Sequence, residues 1–268
     1  MPIIRRVEVK LTILGTDAAY AGKNGGCPSY LLTHRGKHYL IDAGPGCVSA
    51  FQRSIRFSDI SCIFLSHLHA DHISDIYTLR YGVYIAQKEK GMTQKPVVYL
   101  PKRPRNTYRF IKKHIHREFV IKILSEKTHV ELDGLKASFM RTMHPVPAYA
   151  MRFDERGKGE QAGAQSEKSD TAFVYTSDTG FFEELVRFSA QASVILSEAT
   201  FQSSDEKLTG LGHMTAERAG AFAAKSGADR LVLTHIMPEY DKSTSAREAK
   251  KTFPGEVIIA ERGMELTI

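Results

Sequence analysis

Between Asp59 and Asp75 the chain reads Asp-Ile-Ser-Cys-Ile-Phe-Leu-Ser-His-Leu-His-Ala-Asp-His-Ile-Ser-Asp. Four of these residues, His67, His69, Asp71 and His72, are of the types that ligate divalent metals. In an extended or turning segment alternate side chains share a side, so His67 and His69 can converge on one ion while Asp71 and His72 reach a second centre nearby. Just upstream, Ile60, Cys62, Ile63, Phe64 and Leu65 form the nearly continuous apolar run of a strand buried on both faces. A buried strand therefore carries ligands to its C-terminal tip.

The string His-x-His-x-Asp-His resembles the signature of the metallo-β-lactamase superfamily, and the resemblance implies where further ligands lie. His144 in Thr-Met-His-Pro, Asp178 in Thr-Ser-Asp-Thr-Gly and His235 in Leu-Thr-His-Ile-Met-Pro each follow an expected strand. By that resemblance His67, His69 and His144 hold one metal, Asp71, His72 and His235 hold the other, and Asp178 bridges them. Asp42, in Asp-Ala-Gly-Pro-Gly, matches the position that supports the ligands from behind. Imidazole and carboxylate without thiolate suit two Zn²⁺ per subunit, with Mn²⁺ or Fe²⁺ as tolerable substitutes. Two such cations about 3.5 to 4 Å apart bring a shared water's proton loss near neutral pH and so supply a nucleophile for hydrolysis.

The metals alone do not select a substrate, since lactamases, thioesterases, glyoxalases, nucleases and phosphodiesterases share such centres. Two further stretches narrow the choice. Gly212-His213-Met214-Thr215 places a histidine just before a helix that Thr215 can cap, and Ser197-Glu198-Ala199-Thr200 ends a strand with an acid. Both resemble the tRNA 3′-processing ribonuclease Z group, in which the glutamate orients a histidine that protonates the leaving group. With Asp71, the Glu198 and His213 pair makes up the expected catalytic set, although Ser197 stands where that group carries a histidine.

The ribonucleases also carry a long tRNA-gripping arm between the segments held here by His144 and Asp178, and positions 145–177 give this chain only 33 residues there. Without that arm the chain is more similar to small-substrate members, including the cyclic-nucleotide phosphodiesterases used against cyclic-pyrimidine (Pycsar) immune signalling. The resemblance thus implies hydrolysis of a small nucleotide substrate, 3′,5′-cyclic nucleotides giving 5′-monophosphates. RNA, cut by a ribonuclease Z-like endoribonuclease, is the alternative. A β-CASP nuclease is unfavoured, because the 56 residues at positions 179–234 cannot hold its extra domain. Thioesterases and lactamases would share the metals but have no clear use for the Glu198 and His213 pair.

Alternating or apolar runs predict strands over 7–14, 29–33, 37–41, 97–100, 120–124, 130–132, 135–142, 149–153, 171–176, 192–196, 230–234, 257–260 and 264–267. Helical spacing is expected over 73–87, 107–116, 181–188, 216–226 and 243–251. Arg35-Gly36 should turn a hairpin, and the strands from Val120 to Phe153 should pair antiparallel, being too closely spaced for crossover helices. Residues 154–170 contain no large apolar side chain and read as a surface loop, with Gly157, Gly159 and Gly163 allowing it to act as a lid. Periodicity alone gives a mixed α and β chain. The resemblance makes it an αβ/βα four-layer sandwich, one domain over residues 1–268, with the dinuclear site at the edge of two sheets.

The 268 residues, 42% hydrophobic and 25% charged, are ordinary for a globular protein. No stretch approaches the roughly 18 apolar residues of a membrane span, and no signal-peptide core follows Arg5 and Arg6, so a cytoplasmic location without membrane attachment is expected. Cys27, Cys47 and Cys62 fit neither a disulfide framework nor a thiolate site. The net charge of +7 invites an anionic partner, and much of it lies between Lys102 and Arg117, where no acid occurs. Members of the resembling group commonly form homodimers, which is the expectation here too.

Overall fold

The computed structural model describes residues 9–89, 91–155 and 171–268. Its strands make two seven-stranded sheets. In the first, β1 (Lys10–Gly15), β2 (Ser29–His34), β3 (Lys37–Ile41), β4 (Ile60–Phe64), β5 (Val97–Leu100) and β6 (Val120–Ile123) lie side by side in chain order. The second takes β7 (Val130–Leu132), β8 (Leu135–Arg141), β9 (Tyr149–Glu155), β10 (Ala172–Tyr175), β11 (Val194–Glu198), β12 (Arg230–Thr234) and β13 (Glu256–Ile259). The last strand, β14 (Glu265–Thr267), returns to the first sheet beside β1.

The alternation of each strand decides the layers. Leu11, Ile13, Tyr30, Leu32, Tyr39, Ile41 and Phe64 from the first sheet meet Phe139, Phe153, Phe173, Tyr175 and Leu196 from the second in one central core. Phe64 anchors it, with ring centroids 5.2 Å from Tyr99, 5.5 Å from Phe139 and 5.9 Å from Phe153. The intervening residues Leu31, Leu40 and Ile63 face outward under α1 (Cys47–Phe51), α3 (Ile76–Glu89) and α4 (Arg105–Ile115). On the second sheet Val174, Ile195, Leu231 and Leu233 do the same under α5 (Glu183–Phe188), α6 (Ala216–Ser226) and α7 (Lys242–Lys250). The short α2 (Ala70–Ile73) lies within the histidine segment itself. Helix, sheet, sheet and helix make the four layers expected, and among the described residues no helix is long and apolar enough to cross a membrane.

The expected hairpin forms, with β2 and β3 antiparallel and both Arg35 and Gly36 at positive φ. The expectation of one antiparallel group from Val120 to Phe153 is corrected. Only β7, β8 and β9 pair so, while β6 adds in parallel to β5 and the chain crosses between sheets at residues 124–129. A crossover helix was unnecessary because the strands do not share a sheet. Asp154 and Glu155, expected in the loop, extend β9; the remainder of the proposed lid lies outside the described residues.

Parallel pairing of β3 with β4, and of β10, β11 and β12 with one another, sends all five C-terminal ends to one edge. Asp42, Ser177 and His235 leave those ends at φ 55°, 54° and 51°, left-handed values that few non-glycine residues adopt. Such strain gathers where side chains must be aimed against local backbone preference.

Candidate metal centre

Every sequence-predicted ligand arrives at that edge. His67, His69, His144 and Asp178 form one group of donor atoms, and Asp71, His72, Asp178 and His235 form a second, with Asp178 common to both. Asp178 turns one oxygen to each side. Oδ2 lies 3.4 Å from His67 Nε2, and Oδ1 lies 3.3 Å from His72 Nε2 and 3.5 Å from His235 Nε2. Asp71 Oδ2 stands 3.4 Å from His72 Nε2 and 3.3 Å from His235 Nε2. In the first group His69 Nδ1 is 3.1 Å from His67 Nε2 and 3.2 Å from His144 Nε2.

These donors suit metal ions on their own chemistry. His72 Nε2 and Asp178 Oδ1 are buried and have no hydrogen-bond partner, so each is aimed at a common point rather than at the other. Burial disfavours charge on His72, yet Asp178, Asp71 and Asp42 hold its pKa well above the ordinary value. The pocket thus demands positive charge. Burial would raise the Asp178 carboxyl too, but His235, His72 and His67 hold it well below the usual carboxylate range. His67 is pushed down to about 4, chiefly by burial, which leaves it neutral with a free lone pair.

A second layer fixes which nitrogen each ring offers. Ser66 Oγ gives its proton to Asp42 Oδ2 at 2.8 Å, so at 3.1 Å it accepts from His67 Nδ1–H and Nε2 is left bare. Thr200 Oγ1 gives its proton to Glu198 Oε2 at 2.7 Å and accepts from His235 Nδ1–H at 2.8 Å in the same way. His72 Nδ1–H donates to Asp42 Oδ2 at 2.8 Å, and His144 Nδ1–H to the Gly212 carbonyl at 3.1 Å. Orientation of this kind commonly tunes ligand basicity and metal affinity. Asp42 is therefore where it was expected, fully buried, and it also accepts from Tyr175 and the Ser66 amide.

Glu198 and His213 also meet, with Oε1 3.1 Å from Nδ1. The carboxylate is immobilised by the amides of Thr179, Thr200 and Met214. Burial opposes charge on His213, but Glu198, by charge and hydrogen bond, raises its pKa to about 9. The ring stacks on His235, centroids 5.5 Å apart and planes at 16°. Glu198, His213 and His235 form a third group of close donors. Thr215 caps α6 by accepting from the Arg218 amide, as the sequence predicted, and this fixes the helix entrance that carries His213.

Ser66, Tyr175, Thr200 and the Gly212 carbonyl were not anticipated. Serine, threonine and tyrosine at strand ends carry no distinguishing local pattern, and a carbonyl carries none at all. A signal was present only for Gly212, whose φ of 87° and whose approach to Pro145 and His144 exclude a side chain.

This fold is that of a known class. Residues 37–236 match the family described as a beta-lactamase superfamily domain, and the chain belongs to the metallo-β-lactamase superfamily as a hydrolase with candidate metal-binding groups. It is 28% identical over 261 residues to the probable metallo-hydrolase YhfI of Bacillus subtilis, spanning 95% of this chain and 98% of that protein. The crystal structure of YhfI superposes with a TM-score of 0.85, at 25% identity over 98% of this chain and 100% of the other. A ribonuclease Z of Azobacteroides pseudotrichonymphae is 23% identical over 285 residues, spanning 95% and 97% of the two chains. Unliganded yeast PDE1 shares the fold, with a TM-score of 0.73 at 14% identity over 98% of this chain and 100% of that one.

Proposed function

We infer that the chain is a dinuclear, zinc-dependent phosphodiesterase acting on small nucleotide esters, with 3′,5′-cyclic nucleotides hydrolysed to 5′-monophosphates. The observation that carries this reading is the Glu198 and His213 pair, 3.1 Å apart and stacked beside the ligand His235. His67, His69 and His144 would hold one cation, Asp71, His72 and His235 the other, and Asp178 both. When bound, such a pair supplies an activated water and neutralises charge on phosphoryl oxygens. His213, oriented through Nδ1 by Glu198, delivers the proton on Nε2 to the departing alkoxide, which leaves poorly without one.

The ribonuclease Z relative supports phosphodiester chemistry in general and keeps RNA as the second reading. The small substrate is favoured by the short 145–177 segment and by Ser197. That residue is fully buried, and its hydroxyl donates to the Glu198 carbonyl, so it offers nothing to a substrate. Steady-state turnover of a bis-aryl phosphate, a thioester and a β-lactam by zinc-reconstituted protein tests the reading. Phosphodiester turnover is expected to dominate, and dominance of either acyl substrate would refute it.

A further inference from the structure

We propose that the outer surface of α3 and α4 is a docking platform for a single-stranded polynucleotide. The proposal does not rest on the chemistry assigned to the metal centre. Lys102, Arg103, Arg105, Arg109, Lys112 and Lys113 are all exposed, and none has an ion-pair partner among the described residues. On α4 the spacing 105, 109, 112 and 116 aligns Arg105, Arg109, Lys112 and His116 along one solvent stripe, with Phe110 and Lys113 on the next. A row of unpaired cations on a rigid helix matches a phosphate backbone.

Aromatic rings stand among those cations. Phe110 is 55% exposed and Tyr81, on α3, 57%. Phe110 is held in place by Tyr77 and His114, at ring centroid distances of 5.6 and 4.1 Å, and Arg80 lies 4.3 Å over the Tyr81 ring. Exposed rings interleaved with cations bind unstacked bases without sequence preference. Both helices also start at the sheet edge that carries the candidate ligands. β5 runs parallel to β4, so residues 101–104 leave the sheet at the edge that carries His67, and α3 starts just beyond Asp75.

Other occupants fit less well. A second copy docking by a two-fold would set this cationic face against itself. A membrane surface would need a broad apolar helix face; on α4 Ile111 and Ile115 are wholly buried in the protein core, and the exposed Tyr81, Tyr84 and Ile85 of α3 make that alternative one to be read from vesicle binding.

The test is fluorescence anisotropy of a labelled oligo(U) of about 20 nucleotides, longer than a typical single-strand site, titrated with metal-loaded protein between about 50 and 200 mM salt. Its length is checked after each titration. Arg105→Glu/Arg109→Glu/Lys112→Glu/Lys113→Glu should weaken binding at least tenfold and reduce the slope of log K against log salt by about 3, since each lost phosphate contact accounts for about 0.7. The corresponding Gln variant, less perturbing to the helix, should fall between. Phe110→Ala should weaken binding about fivefold or more with the slope unchanged. Turnover of a bis-aryl phosphate should be the same in all variants, which separates this proposal from the reading of the metal centre. Unchanged oligo(U) affinity in the Glu and Gln variants would overturn it. So would anionic vesicles that bind the wild type more tightly than oligo(U), or a dimer in sedimentation velocity that only the charge-reversed variant loses.

Discussion

The hydroxyl of Thr200 lies 2.8 Å from Nδ1 of His235. Its one proton is committed to Glu198, so it accepts from the imidazole and leaves His235 Nε2 facing Asp71 and Asp178. Under the proposed ligand assignment, Thr200→Val should lower the affinity for a cation at the Asp71, His72 and His235 group about 10- to 100-fold, the usual cost of losing such a support, while Thr200→Ser retains it. Metal content after dialysis against graded chelator reads this directly. Equal retention by Val and Ser variants would show that the hydroxyl does not set the ligand.

Glu198 also holds His213, which ties the second prediction to the leaving group. His213→Ala should lose about 10² to 10⁴ in rate on an alkyl phosphodiester and far less on a nitrophenyl ester, whose leaving group departs without a proton. Glu198→Gln should show the same selectivity more weakly. Equal losses on both esters would place His213 at the phosphoryl oxygens instead.

In chelator-treated protein the same pair should govern part of the pH dependence of stability. The folded-state pKa of His213, about 9, lies above its ordinary 6.5, so its stabilisation is complete below about pH 6.5 and disappears as pH rises through about 9. The Tm gap between wild type and Glu198→Gln should therefore close between those limits. A gap that stays constant or widens across that window would contradict the ion pair.

The sequence made the candidate ligands legible because a buried strand ending in His-x-His-x-Asp-His has few other uses, whereas His144, Asp178 and His235 were found through the family resemblance that this string suggested. The layers were legible only through the family resemblance, periodicity by itself giving a mixed α and β chain; in the fold Leu11 and Ile13 against Leu14, and Phe173 and Tyr175 against Val174, sort to opposite faces. What the sequence could not carry was partnership between distant segments. Nothing local to Val120 and Val130 tells that they join different sheets, and nothing local to β13 and β14 does either. The short α1 and the 3-10 segment Ser203–Leu211, with little apolar periodicity, also went unpredicted. Ser66 and Thr200 acquire meaning only when Asp42 and Glu198 are folded beside them.

Gly212 offers a test of backbone placement. At φ 87°, a Cβ there would sit 2.8 Å from Pro145 Cδ and 3.0 Å from His144 Cα. Gly212→Ala should destabilise the protein by about 1–3 kcal/mol and, under the proposed ligand assignment, weaken metal binding at the group of His67, His69 and His144, the last of which donates to the Gly212 carbonyl. Denaturant melts with metal analysis would record both, and wild-type values for both would show that the loop yields without disturbing the ligand.

The central claim is tested most directly by product analysis of zinc-reconstituted protein given each of the four 3′,5′-cyclic nucleotides beside a 3′-extended tRNA precursor. The account predicts 5′-monophosphate from at least one cyclic nucleotide, at a kcat/KM well above that for tRNA, and no product from His69→Ala or Asp71→Ala. Trimming of the tRNA precursor with no cyclic nucleotide consumed, or full turnover in verified metal-free protein, would contradict it.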